Sequence, residues 1–386
     1  MENVNSCCYV AKIHEIKAIE GADKIEQAVI GGWNCIVQKA AYKAGDLVIV
    51  TTTDAVIPQK LSDELSVTNY LRKGGRVRTV KLRGVYSECL IIPFQFARKA
   101  TGNANTKWEE GDDLMDVLKI FKYEPPVKQI TLSSGRKIRY KDNPNFHVYY
   151  KFPNMKNVTG IFNETDHVQI TRKIHGTNAR YGIVKKTKLS LLDKIKVALA
   201  KKIKPDWKWA EYEFVVGSHN VEKGSDSQGY YDTNVWYEIA EDLKIKNRLW
   251  RFVKERMTIP DYVGSGIVIY GEIYGKGIQK GYDYGLDEIR FDVFDVTIDG
   301  KYTSTIYAKL ITEADLKLHY VEVLYTGTWS QEIQDKFVFN NFIEGTKVPH
   351  EGVVVKHVSG ERSKVAKVIN PDYLIYGEKH DIGDSH

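Results

Sequence analysis

The sequence is poor in cysteine and has no long apolar run, and both absences narrow the class of protein. The 386 residues include four cysteines, none in a C-x-x-C pair: Cys7, Cys8, Cys35 and Cys89. Neither a cysteine-based zinc site nor a disulfide framework is indicated, and a reducing compartment is expected. No stretch reaches the roughly 20 apolar residues that cross a bilayer, and the start, MENVNSCC, does not resemble a signal peptide. We expect a soluble cytoplasmic protein with no membrane partner.

Charge of one sign does not dominate either. Lysine and arginine number 56, aspartate and glutamate 50, and the formal net charge is +6. This mild excess permits a polyanionic partner without requiring one, so the distribution of the charges decides. Hydrophobic residues make up 42% of the chain, which predicts folded domains rather than disorder and, at this length, more than one domain.

Short apolar segments alternate with turn residues in the first part of the chain. AVIGGWNCIVQ and DLVIVTTTDAVIP are typical of strands in an all-β module. LRKGGRVRTVKLRG then forms a basic stripe that includes Arg76, Arg78, Lys81 and Arg83. We predict that residues 1–120 form an OB-like barrel whose stripe contacts nucleic-acid phosphates. The alternative is a solvated edge strand protected by its charges.

A polar stretch at 121–157, with Pro125-Pro126 and Asn143-Pro144-Asn145, predicts a linker. β-rich runs such as GIVIYGEIYG and EGVVVKHV follow it, with helix-like stretches between them. The pattern predicts an α+β protein in which residues 158–386 form mostly antiparallel sheets with flanking helices. Within them, 185–204 carry eight lysines and one acid, Asp193, among regularly spaced aliphatic residues. We interpret this segment as a helix packed through its apolar stripe, and phosphate contact is the alternative.

Five short motifs of the second region resemble those of the covalent nucleotidyltransferases. In chain order they supply Lys173 with Gly176, Glu272, Phe291 with Phe294, Glu351 with Lys356, and Lys364 with Lys367. Lys173-Ile-His-Gly resembles motif I, KxxG, and the others resemble motifs III, IIIa, IV and V in the expected order. The resemblance implies a DNA-ligase-type, ATP-grasp-like nucleotidyltransferase domain.

Further residues resemble the ATP-dependent RNA ligases within that superfamily. His175 stands where DNA ligases and capping enzymes typically carry Asp, and KIHGTN adds Asn178. FVVGSHN is similar to motif Ia, with His219 where Arg is commoner. The run from GADKIEQAVIGGWNCIVQ to RVRTVKLRGVYSECLIIP looks like the OB module of Deinococcus-type, or family 5, RNA ligases. Only a short tail follows Tyr373, so we expect no C-terminal OB domain of the kind that DNA ligases carry.

The resemblance implies that ATP transfers AMP to Lys173, that the AMP moves to an RNA 5′-phosphate, and that a 3′-OH then displaces it at a nick in a duplex. The expected partners are base-paired RNA or RNA/DNA ends, with no obligatory protein partner. The alternatives are an ATP-dependent DNA ligase and a non-catalytic nucleic-acid-binding protein with a ligase fold.

The resemblance also assigns roles to the site residues. Gly176 lies at the nucleotide, Glu272 accepts a hydrogen bond from the ribose, and Phe294 stacks on adenine, with Phe291 as the competing candidate. His175 and Asn178 act in the sealing steps. Val365 replaces the first of two usual motif V lysines, and Lys364 is the candidate substitute.

Charge chemistry accounts for the remaining residues. A lysine nucleophile must attack as the free amine, although lysine is ordinarily protonated at neutral pH, so nearby cations are needed. Lys356, Lys367 and Mg²⁺ or Mn²⁺ would supply that charge and offset the α-phosphate. Glu351 is the expected metal ligand. Because residues five apart in a strand face opposite ways, Glu351 and Lys356 share the site only if Glu351 precedes the strand or a bulge intervenes.

Overall fold

The structure, a computed structural model, describes residues 6–53, 55–123, 143–203, 211–219, 222–223, 234–257, 264–380 and 382. Its first part is a small barrel with short helices. The strands are β1 (Cys8–Lys12), β2 (Glu15–Ala18), β3 (Ile25–Ile30), β4 (Trp33–Gln38), β5 (Leu47–Thr52), β6 (Ala55–Val56), β7 (Val80–Leu82), β8 (Val85–Ser87), β9 (Cys89–Ile92) and β10 (Phe121–Lys122). The helices are α1 (Gln59–Glu64), α2 (Phe94–Thr101) and α3 (Met115–Leu118).

Two antiparallel sheets, ordered β1-β5-β9 and β2-β3-β4, form most of the barrel. Side chains alternate between the core and the outside, as on β4, where Trp33, Cys35 and Val37 are buried and the residues between them are less so. All four cysteines are buried and form no disulfide. The predicted β-barrel is confirmed.

The second part contains two sheets and six helices among the described residues. Its strands are β11 (His167–Lys173), β12 (Thr177–Lys185), β13 (Tyr212–Gly217), β14 (Glu222–Lys223), β15 (Gly266–Gly275), β16 (Ile289–Ile298), β17 (Lys301–Tyr302), β18 (His319–Tyr320), β19 (Val323–Thr328), β20 (Gly352–His357) and β21 (Val365–Ile369). Its helices are α4 (Leu191–Ile203), α5 (Val235–Asp242), α6 (Ile245–Met257), α7 (Thr305–Leu310), α8 (Gln331–Val338) and α9 (Pro371–Lys379). Over the described residues, no helix is long and apolar enough to cross a membrane.

The larger sheet has the order β14-β13-β12-β15-β16-β17, and β18 pairs with β16. One face packs on α5, α6 and α7 through a core that includes Tyr181, Ile269 and Phe291. Phe146 and Tyr149 cover the opposite face. Both residues belong to the stretch predicted as a linker, so this part of the stretch packs against the sheet. Pro125-Pro126, in the same stretch, lies outside the described residues.

The smaller sheet has the order β19-β11-β20-β21. One of its faces is apolar and packs on α8 through Val168, Val353 and Val355. Because the turn after β11 leads directly into β12 of the larger sheet, the two sheets meet at Lys173. The predicted α+β architecture of antiparallel sheets with flanking helices is confirmed.

Helix α4 differs from its prediction. Its aliphatic stripe is exposed, with Leu191 at 75% and Leu192 at 71% of full accessibility, while Asp193 is buried. Ser190 and Asp193 form a reciprocal capping box, and Lys186 pairs with the same carboxylate. These contacts turn Asp193 toward the protein and therefore turn the aliphatic stripe outward.

The barrel is anchored to the second part by a nearly buried ion pair. Lys156 Nζ binds the carboxylate of Glu88, and the same ammonium lies 5.6 Å from the Trp33 ring. A Cβ at Gly32 would lie 2.5 Å from Lys156 Cα, so the two backbones meet closely enough to require glycine.

We predict that Glu88→Ala lowers the free energy of unfolding by about 3 kcal/mol, because it leaves the Lys156 ammonium enclosed without its counter-charge. Urea unfolding followed by tryptophan fluorescence measures the loss. Glu64→Ala is the matched control, because it removes a carboxylate from the exposed pair with Lys99 and should cost little. Equal losses in the two variants would show that the Glu88 pair is no anchor.

Candidate functional site

The turn between β11 and β12 is held at close quarters by the larger sheet. A Cβ at Gly176 would lie 2.2 Å from the Ile273 carbonyl oxygen and 2.9 Å from Glu272 Cγ, so only glycine fits. Gln279 Nε2 donates a hydrogen bond to the Gly176 carbonyl at 2.5 Å. The position of Lys173, three residues earlier, is therefore tied to β15.

Antiparallel pairing of β11 with β20 brings a carboxylate to Lys173. Lys173 lies opposite Gly352, and Glu351 comes immediately before the strand. Lys173 Nζ is 2.6 Å from Glu351 Oε1. Gly352 has a φ of 146°, and a Cβ there would lie 2.1 Å from the Val368 carbonyl oxygen, so glycine again permits the approach. Of the two geometries that let Glu351 share the site, the structure adopts the one in which it precedes the strand.

Glu272 completes a group of charged side chains around Lys173. It lies opposite Asn178 in the β12–β15 pairing. Burial raises the pKa of Glu272 to about 8, while the Lys173 charge opposes the rise and Glu351 adds to it. An Asn178 side-chain hydrogen bond also favours the ionised carboxylate. The structure thus brings together four predicted site residues, since Asn178 and Glu272 reach the cluster from the larger sheet.

The register of the smaller sheet separates the three candidate lysines of motifs IV and V. Thr171, Val354 and Lys367 lie side by side, on the face that also carries Lys173. At about 3.3 Å per residue, Lys367 lies roughly 7 Å along the sheet from the level of Lys173. Lys367 is therefore placed to reach a ligand bound at Lys173.

Lys364 does not reach this cluster. It precedes β21, and its Nζ is 2.5 Å from Asp166 Oδ1, beside the strand end at His167. Alternation along β21 assigns it to the opposite face from Lys367. Lys364 therefore binds Asp166 and lies away from the side chains around Lys173, whereas the sequence suggested it as the substitute for the lysine missing at Val365.

Lys356 is engaged by a buried network. Its Nζ is 3.0 Å from Asp295 Oδ2 and 2.8 Å from the Phe294 carbonyl oxygen. Arg362 Nη1 binds the same carboxylate oxygen at 2.9 Å. Burial alone would raise the pKa of Asp295, but the charges of Lys356 and Arg362 lower it below its ordinary value. Lys356 thus ties β20 to β16 of the larger sheet, and it shares one carboxylate with Arg362, so the three side chains together keep one positive charge.

Sequence reasoning did not identify Asp295, Arg362 or Arg180. An acid within the apolar run VFDV was the available signal for Asp295.

Arg180 is fully buried and donates to the carbonyls of Ser218 at 3.0 Å and Phe146 at 2.5 Å. Burial, together with the charges of Lys151 and Arg180, lowers the pKa of His219, so His219 does not reproduce the positive charge of the usual arginine. Asn220 lies outside the described residues.

The two aromatic candidates lie on different sides of the larger sheet. Phe291 is buried and meets the Tyr181 ring edge-on in the helix-covered core. Phe294 is partly exposed, 4.9 Å from the Tyr149 ring, with Lys356 Nζ 5.5 Å from its own ring centre. The geometry favours Phe294 for stacking on a planar ligand.

His175 is fully buried. Its Nδ1 lies 2.9 Å from the Tyr373 hydroxyl, and its backbone N–H donates to the Tyr284 hydroxyl at 2.6 Å. The Tyr282 ring packs edge-on against it. We call Tyr282, Tyr284 and Tyr373 the tyrosine cage. The structure therefore places His175 inside the tyrosine cage beside the turn, and the role in the sealing steps that the resemblance implies stays a prediction.

The predicted nucleic-acid residues of the barrel divide into two groups. Arg78 binds Glu378 at 2.7 Å and Lys81 binds Asp372 at 3.4 Å, both on α9. The Arg76 guanidinium lies 4.1 Å from the Tyr123 ring centre. Arg83 is exposed at the tip of the β7–β8 hairpin, with a left-handed φ of 48°. Arg83 is therefore the most open of the four to a phosphate.

The cluster fits a hard cation in part. Glu351 Oε2 is buried and makes no hydrogen bond to the described residues, so a second oxygen remains to bind a ligand. No group of three His, Cys, Asp or Glu side chains in the described ranges forms a metal site by itself. The donor set therefore suits a cation such as Mg²⁺, which takes one or two carboxylates and completes its shell with water and phosphate oxygens.

We predict that Glu272→Gln flattens the pH dependence of stability between about pH 5 and pH 8. The folded pKa of about 8 lies above the ordinary value of 4.5, so the folded state holds an extra proton in this window. The stabilising contribution of Glu272 is complete below the lower value and is lost as the pH rises through the upper one. Urea unfolding across the window should show a smaller fall in the variant. A fall as large as in the wild type, or one equally reduced by exposed Glu110→Gln, would contradict the assignment.

Comparison with known proteins agrees with this geometry. Residues 7–94 match an OB-fold domain. A Naegleria gruberi RNA ligase with a lysine-to-alanine mutation, ATP and Mn superposes with a TM-score of 0.68 at 21% identity, covering 97% of this chain and 99% of that one. The same ligase with PPi gives a TM-score of 0.67 at 21% identity, covering 98% and 99%. At this identity the likeness shows the fold. No curated protein matches the chain.

The family comparison reaches further. The RNA ligase family model matches residues 166–369, which contain every motif residue from Lys173 to Lys367. Because this match spans more than half of the sequence, the chain belongs to the RNA ligase family.

Proposed function

We propose that the protein is an ATP-dependent RNA ligase that joins 3′-OH and 5′-phosphate ends through AMP on Lys173 and then AMP on the 5′ end. The observation that carries the proposal is the 2.6 Å contact between Lys173 Nζ and Glu351 within a turn that Gly176 and Gly352 hold in place. A lysine that ends a strand is ordinarily solvated, whereas this one is largely enclosed with two carboxyl groups beside it.

In the first step, the Lys173 amine attacks the α-phosphorus of ATP. The N–P bond forms, the bond to the pyrophosphate oxygen breaks, and the amine must first have lost the proton that it shares with Glu351. Lys367 faces the same side of the sheet and offsets charge on the phosphate. A divalent cation held by Glu351 and water supplies further positive charge there when bound.

The adenosine follows the face that runs from Lys173 toward Lys356. Phe294 stacks on the adenine, because its ring is partly exposed whereas that of Phe291 is buried. Glu272 receives the ribose hydroxyl, since it lies beside both Lys173 and Asn178. Asn178 also contacts the AMP phosphate during sealing.

In the remaining steps, the 5′-phosphate oxygen displaces Lys173 from AMP, and the 3′-hydroxyl oxygen then displaces AMP from the RNA. We propose that the substrate is a nick in base-paired RNA or RNA/DNA and that no protein partner is obligatory. We also propose that the enzyme is a Deinococcus-type ligase. Its barrel spans 1–120, a connection spans 121–157, and the ligase unit spans 158–386. The exposed Arg83 supports strand contact by the barrel.

We predict that Lys173→Ala abolishes AMP transfer from radiolabelled ATP, because the attacking nitrogen is gone. The covalent label is read after denaturing electrophoresis. Wild-type protein and variant are first treated with pyrophosphate, which removes AMP already attached to the lysine, so that a blocked lysine is not mistaken for an inactive one.

The motif V lysines give a matched pair for the same assay. Lys367→Ala should slow labelling roughly a hundredfold, the scale of losing one charge-stabilising group. Lys364→Ala should retain most labelling, because its ammonium binds Asp166 on the other face. The reverse order would show that Lys364 does serve the nucleotide, and a label surviving in Lys173→Ala would place the nucleophile elsewhere.

We predict that Arg83→Glu weakens RNA binding and slows sealing while AMP labelling stays at the wild-type rate. Losing one phosphate contact should reduce the slope of log affinity against log salt by about 1. Lys119→Glu is the control, since it makes the same charge change at an exposed left-handed position at the end of α3. Equal changes of slope in the two variants would show that the loss of RNA affinity follows the net charge of the protein and not a phosphate contact at Arg83.

A further inference from the structure

Helix α9 contacts the motif I turn with one residue and the barrel with two others. Tyr373 places its hydroxyl 2.9 Å from His175 Nδ1. Asp372, the preceding residue, binds Lys81 of β7, and Glu378 binds Arg78. One short helix therefore connects the basic stripe of the barrel to the turn that carries the nucleophile.

The helix is fixed at its start. The Asn370 side chain accepts a hydrogen bond from the Asp372 N–H, and Pro371 occupies the first turn. Asn370 also donates its backbone N–H to the Glu351 carbonyl at 2.9 Å. The start of α9 is thus bound to the residue that meets Lys173, so a shift of the helix is transmitted to both sides of the nucleophile.

The tyrosine cage makes the turn sensitive to such a shift. His175 is fully buried and lies two residues after Lys173, with its backbone held by Tyr284 and its ring by Tyr373. Because it is enclosed, His175 acts on the reaction through the position of the turn. Tyr373 belongs to α9, which is also bound to the barrel.

We propose that Tyr373 is a positioning residue for the nucleophile, and that docking of the barrel on α9 through Arg78 and Lys81 holds Tyr373 against His175. The proposal rests on the proposed function for its catalytic consequence. The mechanical part, coupling of the barrel to the turn at 173–176, stands on the contacts alone.

The first experiment measures single-turnover AMP transfer at a series of ATP concentrations. Tyr373→Phe keeps the ring and removes the hydroxyl. It should lower the maximal rate roughly tenfold while the half-saturating ATP concentration changes less than about twofold, because misplacement of the attacking atom affects the chemical step. Tyr376→Phe is the matched control, because it removes a hydroxyl from the same helix on a ring stacked against His380. Equal rates in Tyr373→Phe and wild type, or equal losses in both variants, would overturn the positioning role.

The second experiment needs no activity. Hydrogen exchange of the turn at 173–176 is followed in the nucleotide-free protein. Exchange should rise in Tyr373→Phe and in Glu378→Arg, and it should return toward wild type when Glu378→Arg is combined with Arg78→Glu, which restores the ion pair with reversed charges. Unchanged exchange in Glu378→Arg, or no return in the double variant, would overturn the coupling. If the wild type takes no AMP at all, the proposed function fails while the exchange result still decides the coupling.

Discussion

The antiparallel pairing of β11 with β20 is the constraint on which the site depends. It sets Lys173 opposite Gly352, and hence Glu351 against the lysine Nζ, although the two charged residues are 178 positions apart in the chain. The next pairing, β20 with β21, brings Lys367 onto the same face. A slip of one residue in either register would turn the ligand-facing side chains toward the apolar core. Gly176 and Gly352 are needed for the same geometry, because at each position another backbone comes so close that a Cβ would clash with it.

A second constraint holds the two sheets at a fixed separation. Asp295 on β16 receives Lys356 from β20, Arg362 from the following loop and the Tyr149 hydroxyl. Burying these charged side chains has a desolvation cost that their mutual attraction only partly offsets. The network therefore contributes more to the relative position of the two sheets than to the free energy of unfolding. The orientation of Lys356 is fixed by this network, and Phe294 is positioned with it because its carbonyl accepts from the same ammonium.

Motif order was sufficient to locate the cluster from sequence, because Lys173, Glu272 and Glu351 come from three separate segments that this fold brings together. Whether Lys364 lies beside Lys367 and can substitute for the lysine missing at Val365 was not accessible in the same way. It depends on which strand face each occupies, and only the register with β20 shows that. His175 illustrates a different limit. Its burial results from the tyrosine cage, whose members lie far away in the chain, Tyr373 by 198 positions, so no local sequence pattern indicates it. In the barrel, the sequence pattern of Arg78 and Lys81 predicts a phosphate-binding stripe. It does not show that both residues pair with acidic residues of α9, which lie far away in the chain.

Two sets of ion pairs that attach the barrel among the described residues differ in strength. Lys156 and Glu88 are 14% and 3% exposed, so their attraction is little weakened by water or salt. The pairs on α9 are more open, with Arg78 at 33% and Lys81 at 38% exposure, and pairs of that kind contribute less and are screened more. On the proposed function, RNA at the stripe competes with the weaker attachment and leaves the stronger one intact. The same competition reaches Tyr373, because Asp372 precedes it in the first turn of α9. The proposed coupling therefore links RNA binding at the barrel to the position of Tyr373 beside His175.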